Sequence, residues 1–141
     1  MFVLKELPSE EMMAAYAGRF ETMDLGATRD ALQMLRSATV LLKKLENLFR
    51  KHELSQTRFL ILIILEREGG ELSGSEVLKR LDVSRPVMTK TLQGLARSGY
   101  VEITGHPEDK RALQVKLVKA GGEKLAEVLP DYFRIIREHM K

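Results

Sequence analysis

Apolar residues change their spacing several times along the chain, and each change predicts a new element of secondary structure. From Ala27 to about Lys51 they recur every three or four residues, as in a long amphipathic helix. An apolar arc as wide as this one predicts packing both on the helix's own domain and on a second chain. Two neighbouring rows form the arc: Ala31, Met34, Ala38, Leu41, Leu45 and Leu48, beside Leu32, Leu35, Leu42 and Phe49.

Three shorter helices are predicted next, each preceded by a serine that can cap its first turn. Ser55 precedes the apolar run 59–65, which we interpret as a central buried helix because a glycine pair ends it. Ser73 begins a short helix and Ser84 begins another, with a turn at Asp82–Val83 between the two. Two capped helices joined by so short a turn are typical of a helix-turn-helix.

After Gly99 the spacing becomes two, which predicts strands. Val101 and Ile103 alternate with polar residues, and the same alternation returns over 113–117, so we expect a β-hairpin with a polar tip from Gly105 to Arg111. A helical pattern then resumes after Gly121–Gly122. Pro130 lies within that pattern and predicts either a kink or a new helix start.

These elements predict a mainly α fold with a small β-hairpin (α+β), a winged helix-turn-helix lobe joined to a helical dimerisation region. We expect one structural domain with three parts. Residues 1–26 form an N-terminal arm with one short helix after Ser9, residues 27–51 and 120–141 form dimerisation helices, and residues 52–119 form the winged DNA-binding lobe.

Composition narrows the choice of function. The sequence has no cysteine, which excludes disulfides and thiol redox sensing, and His52, His106 and His139 are scattered, so a sequence-local metal site is not expected. A metal assembled across a dimer stays open. No nucleophile–base set, phosphate loop or metal cluster is visible, so we expect no enzyme and no cofactor. With no secretory signal and no membrane-spanning stretch, a cytoplasmic location is expected.

The charge of the chain is unevenly distributed. Residues 1–26 contain two basic and five acidic residues, a net charge of −3 within a chain of net charge +3, which leaves +6 for the remainder. An acidic end on a basic body suits a protein that presents one face to a polyanion such as double-stranded DNA.

The helix that begins after Ser84 carries the candidate DNA-reading residues. Met88, Leu92 and Leu95 share its inward face, so the polar residues between them point outward. We assign base-edge contacts to Arg85, Pro86 and Thr89, and phosphate or neighbouring-base contacts to Ser84, Lys90 and Gln93, with Arg97 also outward. An ordinary solvated helix face is the alternative interpretation.

The hairpin tip supplies a second candidate contact. Lys110 and Arg111 project from a rigid two-stranded support, and an arginine enters a narrow minor groove at low desolvation cost. Asp109 would be repelled by DNA, so we expect it to stabilise the tip through Arg111 or a backbone amide. His106 is expected to be a turn residue.

From about Thr28 to Leu129 the chain resembles the MarR family of winged-helix regulators. The motifs that carry the resemblance are Leu54–Ser55, 81–95, 98–101 and the D-x-R element Asp109-Lys110-Arg111. The resemblance implies a homodimer that is held by the N- and C-terminal helices and binds a pseudo-palindromic operator. It also implies that the recognition helices enter major grooves and the wing arginines enter minor grooves. The family contains more repressors than activators, and many members respond to a small phenolic or anionic ligand.

The chain departs from the family pattern at two places. Val118 stands where the family usually has a threonine that begins the helix after the wing, so that cap is lost or replaced. Family members commonly continue beyond position 141, and we expect residues 1–26 to pack where that further helix lies.

Two questions stay open at this point. Tyr16, Phe20, Arg36, His52 and Arg58 could contribute to an effector pocket, although core or surface roles fit these positions better. A winged-helix module that binds protein, without sequence-specific DNA binding, is the alternative function, because a fold does not fix a function.

Overall fold

The computed structural model of the chain describes residues 2–105 and 113–141. The chain divides into two compact units, 1–44 and 45–141, with the boundary inside the longest helix. The elements in chain order are α1 (Glu10–Arg19), α2 (Leu25–Lys51), α3 (Gln56–Arg67), β1 (Glu71–Ser73), α4 (Gly74–Lys79), α5 (Arg85–Arg97), β2 (Val101–Thr104), β3 (Gln114–Leu117) and α6 (Lys119–His139). Within the described ranges no helix is long and apolar enough to cross a membrane.

In the first unit, polar contacts attach the N-terminal arm to α2. Ser9 caps α1 as expected, its Oγ accepting a hydrogen bond from the Met12 amide at 3.2 Å. Glu10 accepts two hydrogen bonds from Arg29 of α2, at 2.5 and 2.6 Å, and these bonds lower the pKa of the Glu10 carboxyl. Arg36 donates to the backbone carbonyls of Leu4 and Lys5. These hydrogen bonds attach the arm to α2 through Arg29 and Arg36.

The start of α2 corrects the predicted boundary. The helix begins at Leu25 and not at Ala27, because the carboxylate of Asp24 accepts a hydrogen bond from the Ala27 amide at 2.9 Å. An aspartate in this position satisfies an amide that the helix itself leaves unpaired. Gly26 consequently lies in the first turn instead of before the helix.

The core of the second unit surrounds α3, as the apolar run 59–65 predicts. Phe59, Ile61, Leu62 and Leu65 are fully buried on this helix. Phe49 of α2 and Tyr132 of α6 place their rings 4.6 and 4.8 Å from that of Phe59, centroid to centroid. Side chains from other elements complete the core: Val77 of α4, Met88, Leu92 and Leu95 of α5, Val115 of β3, and Leu125 and Val128 of α6.

Within residues 2–105 and 113–141 the sheet has three strands, one more than the predicted hairpin. β2 and β3 pair antiparallel, with Val101 opposite Leu117 and Thr104 opposite Gln114, which agrees with the expected alternation. The added strand is β1, whose Leu72 lies opposite Val115 of β3, so that the strand order is β1-β3-β2. Three residues are too few for an alternating pattern to be recognised, which explains why β1 was missed.

The last helix begins earlier than predicted and continues through Pro130. α6 begins at Lys119, before the glycine pair, and Val118 at its N-cap makes no side-chain capping hydrogen bond, as the lost threonine implies. Pro130 lies inside the helix and begins no new one. Residues on both sides of the proline pack on the same core, Leu125 and Val128 before it and Tyr132 and Ile135 after it, which holds the helix together despite the lost hydrogen bond.

The two adjacent glycines of α6 have different surroundings, and this predicts opposite effects of substitution. A Cβ at Gly121 would overlap the backbone carbonyl oxygen of Tyr100, whereas one at Gly122 would meet nothing within 4 Å. Gly121→Ala should therefore lower the free energy of unfolding by about 1–3 kcal/mol. Gly122→Ala should raise it by up to about 1 kcal/mol through helix propensity. Urea unfolding of both variants measures the difference, and equal effects would contradict the close approach at Tyr100.

Candidate nucleic-acid interface

Two serine caps and an apolar face position the candidate reading helix. α4 ends at Lys79 and α5 begins at Arg85, which confirms two helices joined by a short turn. The Oγ of Ser84 accepts a hydrogen bond from the Val87 amide at 3.3 Å, and that of Ser73 accepts one from the Glu76 amide at 3.2 Å. The inward residues of α5 are those predicted, because Met88, Leu92 and Leu95 are all buried.

The opposite side of α5 brings the predicted contact residues together. Arg85, Pro86, Lys90 and Gln93 are exposed, and Thr89 is partly buried beside them. Ser84 is exposed at the N-cap, where its hydroxyl accepts one hydrogen bond and keeps a proton that it can donate to a phosphate. The three wing residues Asp109, Lys110 and Arg111, with His106, lie outside the described residues.

The charge of α5 distinguishes this helix from an ordinary solvated one. Arg85, Lys90 and Arg97 are its ionisable residues, and it contains no aspartate or glutamate. In the part of the chain that the structure describes, none of these three cations forms an ion pair. Four arginines on other elements do have acidic partners: Arg29, Arg67, Arg80 and Arg134. As far as the described residues show, the outward face of α5 thus carries positive charge without ion pairs, on a helix of the width that enters a major groove.

One exposed residue in the first turn of α5 was missed by the sequence analysis. Val87 is 46% exposed although it is apolar, and its backbone carbonyl accepts a hydrogen bond from the hydroxyl of Thr91. An apolar group at the tip of a major-groove helix is suited to contact a thymine methyl. The signal was available, since Val87 lies about 100° around the helix from the buried Met88.

The residues considered for an effector pocket separate into different places. Tyr16 and Phe20 line an open apolar pocket of about 380 Å³ in the first unit. Arg36 lines another of about 360 Å³, together with Lys5 and Lys43. His52 and Arg58 belong to the second unit. Over the described residues, no group of three or more histidine, aspartate or glutamate side chains is arranged to hold a metal ion.

Comparison with known proteins assigns the family. The family model described as "MarR family" matches residues 52–112. The HTH-type transcriptional repressor YetL of Bacillus subtilis (strain 168) is 31% identical over 139 residues, which cover 98% of this chain and 83% of YetL. The chain belongs to the MarR family. MarR-family members are transcription regulators and not enzymes, so this protein is a regulator of the DNA-binding class, as the sequence predicts.

Solved MarR-family structures confirm the predicted winged-helix fold. AbsC of Streptomyces coelicolor superimposes with a TM-score of 0.71 at 19% identity, covering 79% of this chain and 76% of AbsC. Sco3205 of the same organism, whose structure was solved in complex with DNA, gives a TM-score of 0.68 at 21% identity, over 76% of this chain and 68% of Sco3205. At these identities the likeness establishes the MarR fold alone.

Proposed function

We propose that this MarR-family protein is a homodimeric transcriptional repressor that recognises a pseudo-palindromic operator through α5. The observation that carries the proposal is the outward face of α5, where three cations lie without an acidic residue on the same helix. A relative named as a repressor and a structural neighbour solved with DNA support it further. The proposed function implies a cytoplasmic location, where the protein has access to DNA.

The roles of the contact residues follow from their places on α5. With this helix in the major groove, the residues of its first turns reach deepest, so Arg85, Pro86 and Thr89 contact base edges. Ser84, Lys90 and Gln93 lie nearer the backbone and contact phosphates or neighbouring bases. The wing residues Lys110 and Arg111 enter the flanking minor groove, with Asp109 stabilising the wing.

Exposed apolar side chains support the dimer. On α2 Met34 is 67% exposed, and on α6 Phe133 is 60% exposed. Met140, at the C-cap of α6, is 70% exposed. Large apolar groups repeated along helices are costly to leave in water, and a second copy of the chain would cover them. We propose that 27–51 and 120–141 form this interface, while 52–119 forms the DNA-binding lobe. The dimer then sets the two α5 helices about one helical turn of DNA apart.

Release of the operator by a small anionic ligand completes the proposal. The pocket that Arg36 lines supports it, because Lys5 and Lys43 share the lining with the apolar side chains of Phe2 and Val40. A ligand with an apolar body and one carboxylate or phenolate suits this lining of cationic and apolar side chains. The volume of the pocket is in the range of small-ligand pockets. A ligand there acts on α2, and would shift the dimer towards a spacing of the two α5 helices that no longer matches the operator.

Selection from a random duplex library, followed by sequencing of the bound pool, tests the function. We expect an enriched palindrome whose half-sites are about 10 base pairs apart, and sedimentation should give a dimer at micromolar concentration. A pool without a consensus, from a protein that sediments as a monomer, would refute the proposal. A module that binds protein would then become the better explanation of the winged fold.

The ligand step has its own test on the selected operator. Benzoate, a small aromatic acid used as a probe, should weaken operator binding by the wild type about tenfold or more at saturation. The Lys43→Gln variant should need a higher benzoate concentration for the same effect, because a cation of the pocket is lost. Lys44→Gln, the neighbouring substitution outside the pocket lining, is the control. Equal benzoate responses of all three proteins would remove this pocket from the mechanism.

A further inference from the structure

A glycine in the interior of α5 makes room for an arginine of α3. A Cβ built at Gly94 would overlap Nη2 of Arg58 and lie 3.0 Å from its Cζ and 3.4 Å from its Nε. Gly94 is buried, and glycine is among the least favourable residues inside a helix. The helix therefore has a residue of low helix propensity at the position where the guanidinium of Arg58 lies against it.

The guanidinium of Arg58 has no acidic partner to explain its position. The Arg58 backbone amide donates to Ser55, but throughout 2–105 and 113–141 its guanidinium makes no hydrogen bond or ion pair. The residue is only partly exposed. Placing a charged group with five N–H donors in a partly desolvated position without an acceptor is unfavourable, unless an anion binds there.

The flank of α5 beside Arg58 adjoins the outward face. The spacing along α5 is four residues from Val87 to Thr91 and three from Thr91 to Gly94, so these residues share one side of the helix. That side lies between the buried face and the face that carries Lys90. A helix with its side chains is about 10–12 Å wide and the major groove is about 12 Å wide, so each flank of an inserted helix lies against a phosphate backbone. Arg58 rests on one of those flanks.

We propose that Arg58, positioned by Gly94, donates hydrogen bonds to a phosphate of the DNA strand beside this flank of α5. The contact comes from a different helix than the base-reading residues, and it fixes how deeply and at what rotation α5 lies in the groove. This inference rests on the proposed function, since it assigns one more residue to the same DNA interface.

Two substitutions that remove the contact by different routes provide the test. Arg58→Gln deletes the charge. Gly94→Ala keeps the charge but displaces the guanidinium, at little structural cost, because the obstructing atoms are the far end of a flexible side chain. Arg67→Gln is the matched control, since Arg67 is on the same helix, is 61% exposed and pairs with Glu68. Affinity for the selected operator is measured over a range of salt concentrations, with the melting temperature of each variant.

A phosphate contact predicts a specific pattern in these measurements. Arg58→Gln should weaken binding roughly tenfold and reduce the slope of log K against log salt by about 0.9. Gly94→Ala should change both quantities in the same direction without a lower melting temperature. The double variant should bind no more weakly than Arg58→Gln alone, because both changes remove one contact. Arg67→Gln should change neither affinity nor slope.

Other outcomes overturn the inference and can be told apart. If the wild type selects an operator but Arg58→Gln leaves its affinity and salt slope unchanged, the phosphate contact is wrong and the proposed function stands. If Arg58→Gln lowers the melting temperature and the affinity with an unaltered slope, Arg58 is a packing residue only. If the wild type selects no operator, both the function and this contact are refuted.

Discussion

Replacing Phe59 with alanine should lower the free energy of unfolding by about 3–5 kcal/mol, the usual cost of deleting a large buried aromatic side chain. Phe59 is fully buried in the middle of α3. Its ring lies 4.6 Å from that of Phe49 and 4.8 Å from that of Tyr132, so one substitution removes contacts with both α2 and α6. Domains of this size are stable by about 5–15 kcal/mol, and a large share of that would be lost.

Urea unfolding at two protein concentrations gives the measurement and separates core from interface. Phe133→Ala is the control, because Phe133 is also an aromatic residue in contact with Tyr132 but is 60% exposed. The loss caused by Phe59→Ala should be the same at both concentrations. The effect of Phe133→Ala should depend on concentration if Phe133 is in the dimer interface. A loss below about 1 kcal/mol for Phe59→Ala would contradict its central place in the core.

The parts of the fold that could be predicted are those determined by neighbouring residues. Ser55, Ser73 and Ser84 were identified as caps because a cap joins a side chain to an amide only a few residues along the chain. The buried run 59–65 was assigned correctly to a helix because its ends carry helix signals. These features need no knowledge of which elements meet in space.

The features that were missed depend on contacts between distant segments. β1 is three residues long and becomes a strand only by pairing with β3, which lies far along the chain. The sequence leaves a kink or a new helix start open at Pro130, and only the new start is excluded: α6 continues because residues on both sides of the proline pack on the core. In the same way, Gly94 looks like a weak point of α5 until the guanidinium of Arg58 is placed beside it.

The candidate site follows the same division. The outward face of α5 could be predicted, because helical spacing alone separates Lys90 and Gln93 from the buried Met88 and Leu92. The sequence does not show whether those cations form ion pairs, because the acidic partners of surface arginines come from residues both near and far along the chain. Among the described residues they form none. Arg80, for example, pairs with Glu76, four residues earlier in the chain, and with Glu68, which caps the C-terminal end of α3.

Reversing two charges on α5 should have the largest effect on DNA binding. In the double variant Arg85→Glu/Lys90→Glu, two cations that we assign to a base edge and a phosphate become anions facing a polyanion. Each lost contact is worth about 1–3 kcal/mol, and repulsion adds to it, so affinity for the selected operator should fall roughly a hundredfold or more. Both residues are exposed and outside the core, so the melting temperature should change little.

The control has to carry the same change of net charge on another surface. Arg67→Glu/Lys119→Glu does so, because both side chains are largely exposed, on α3 and α6. If binding depended only on the net charge of the protein, the two double variants would lose affinity equally. A loss confined to the α5 variant would instead locate the interaction on that face, since only charges that lie against the DNA affect it strongly at physiological salt. An α5 variant that still binds the operator tightly would remove this helix from the interface.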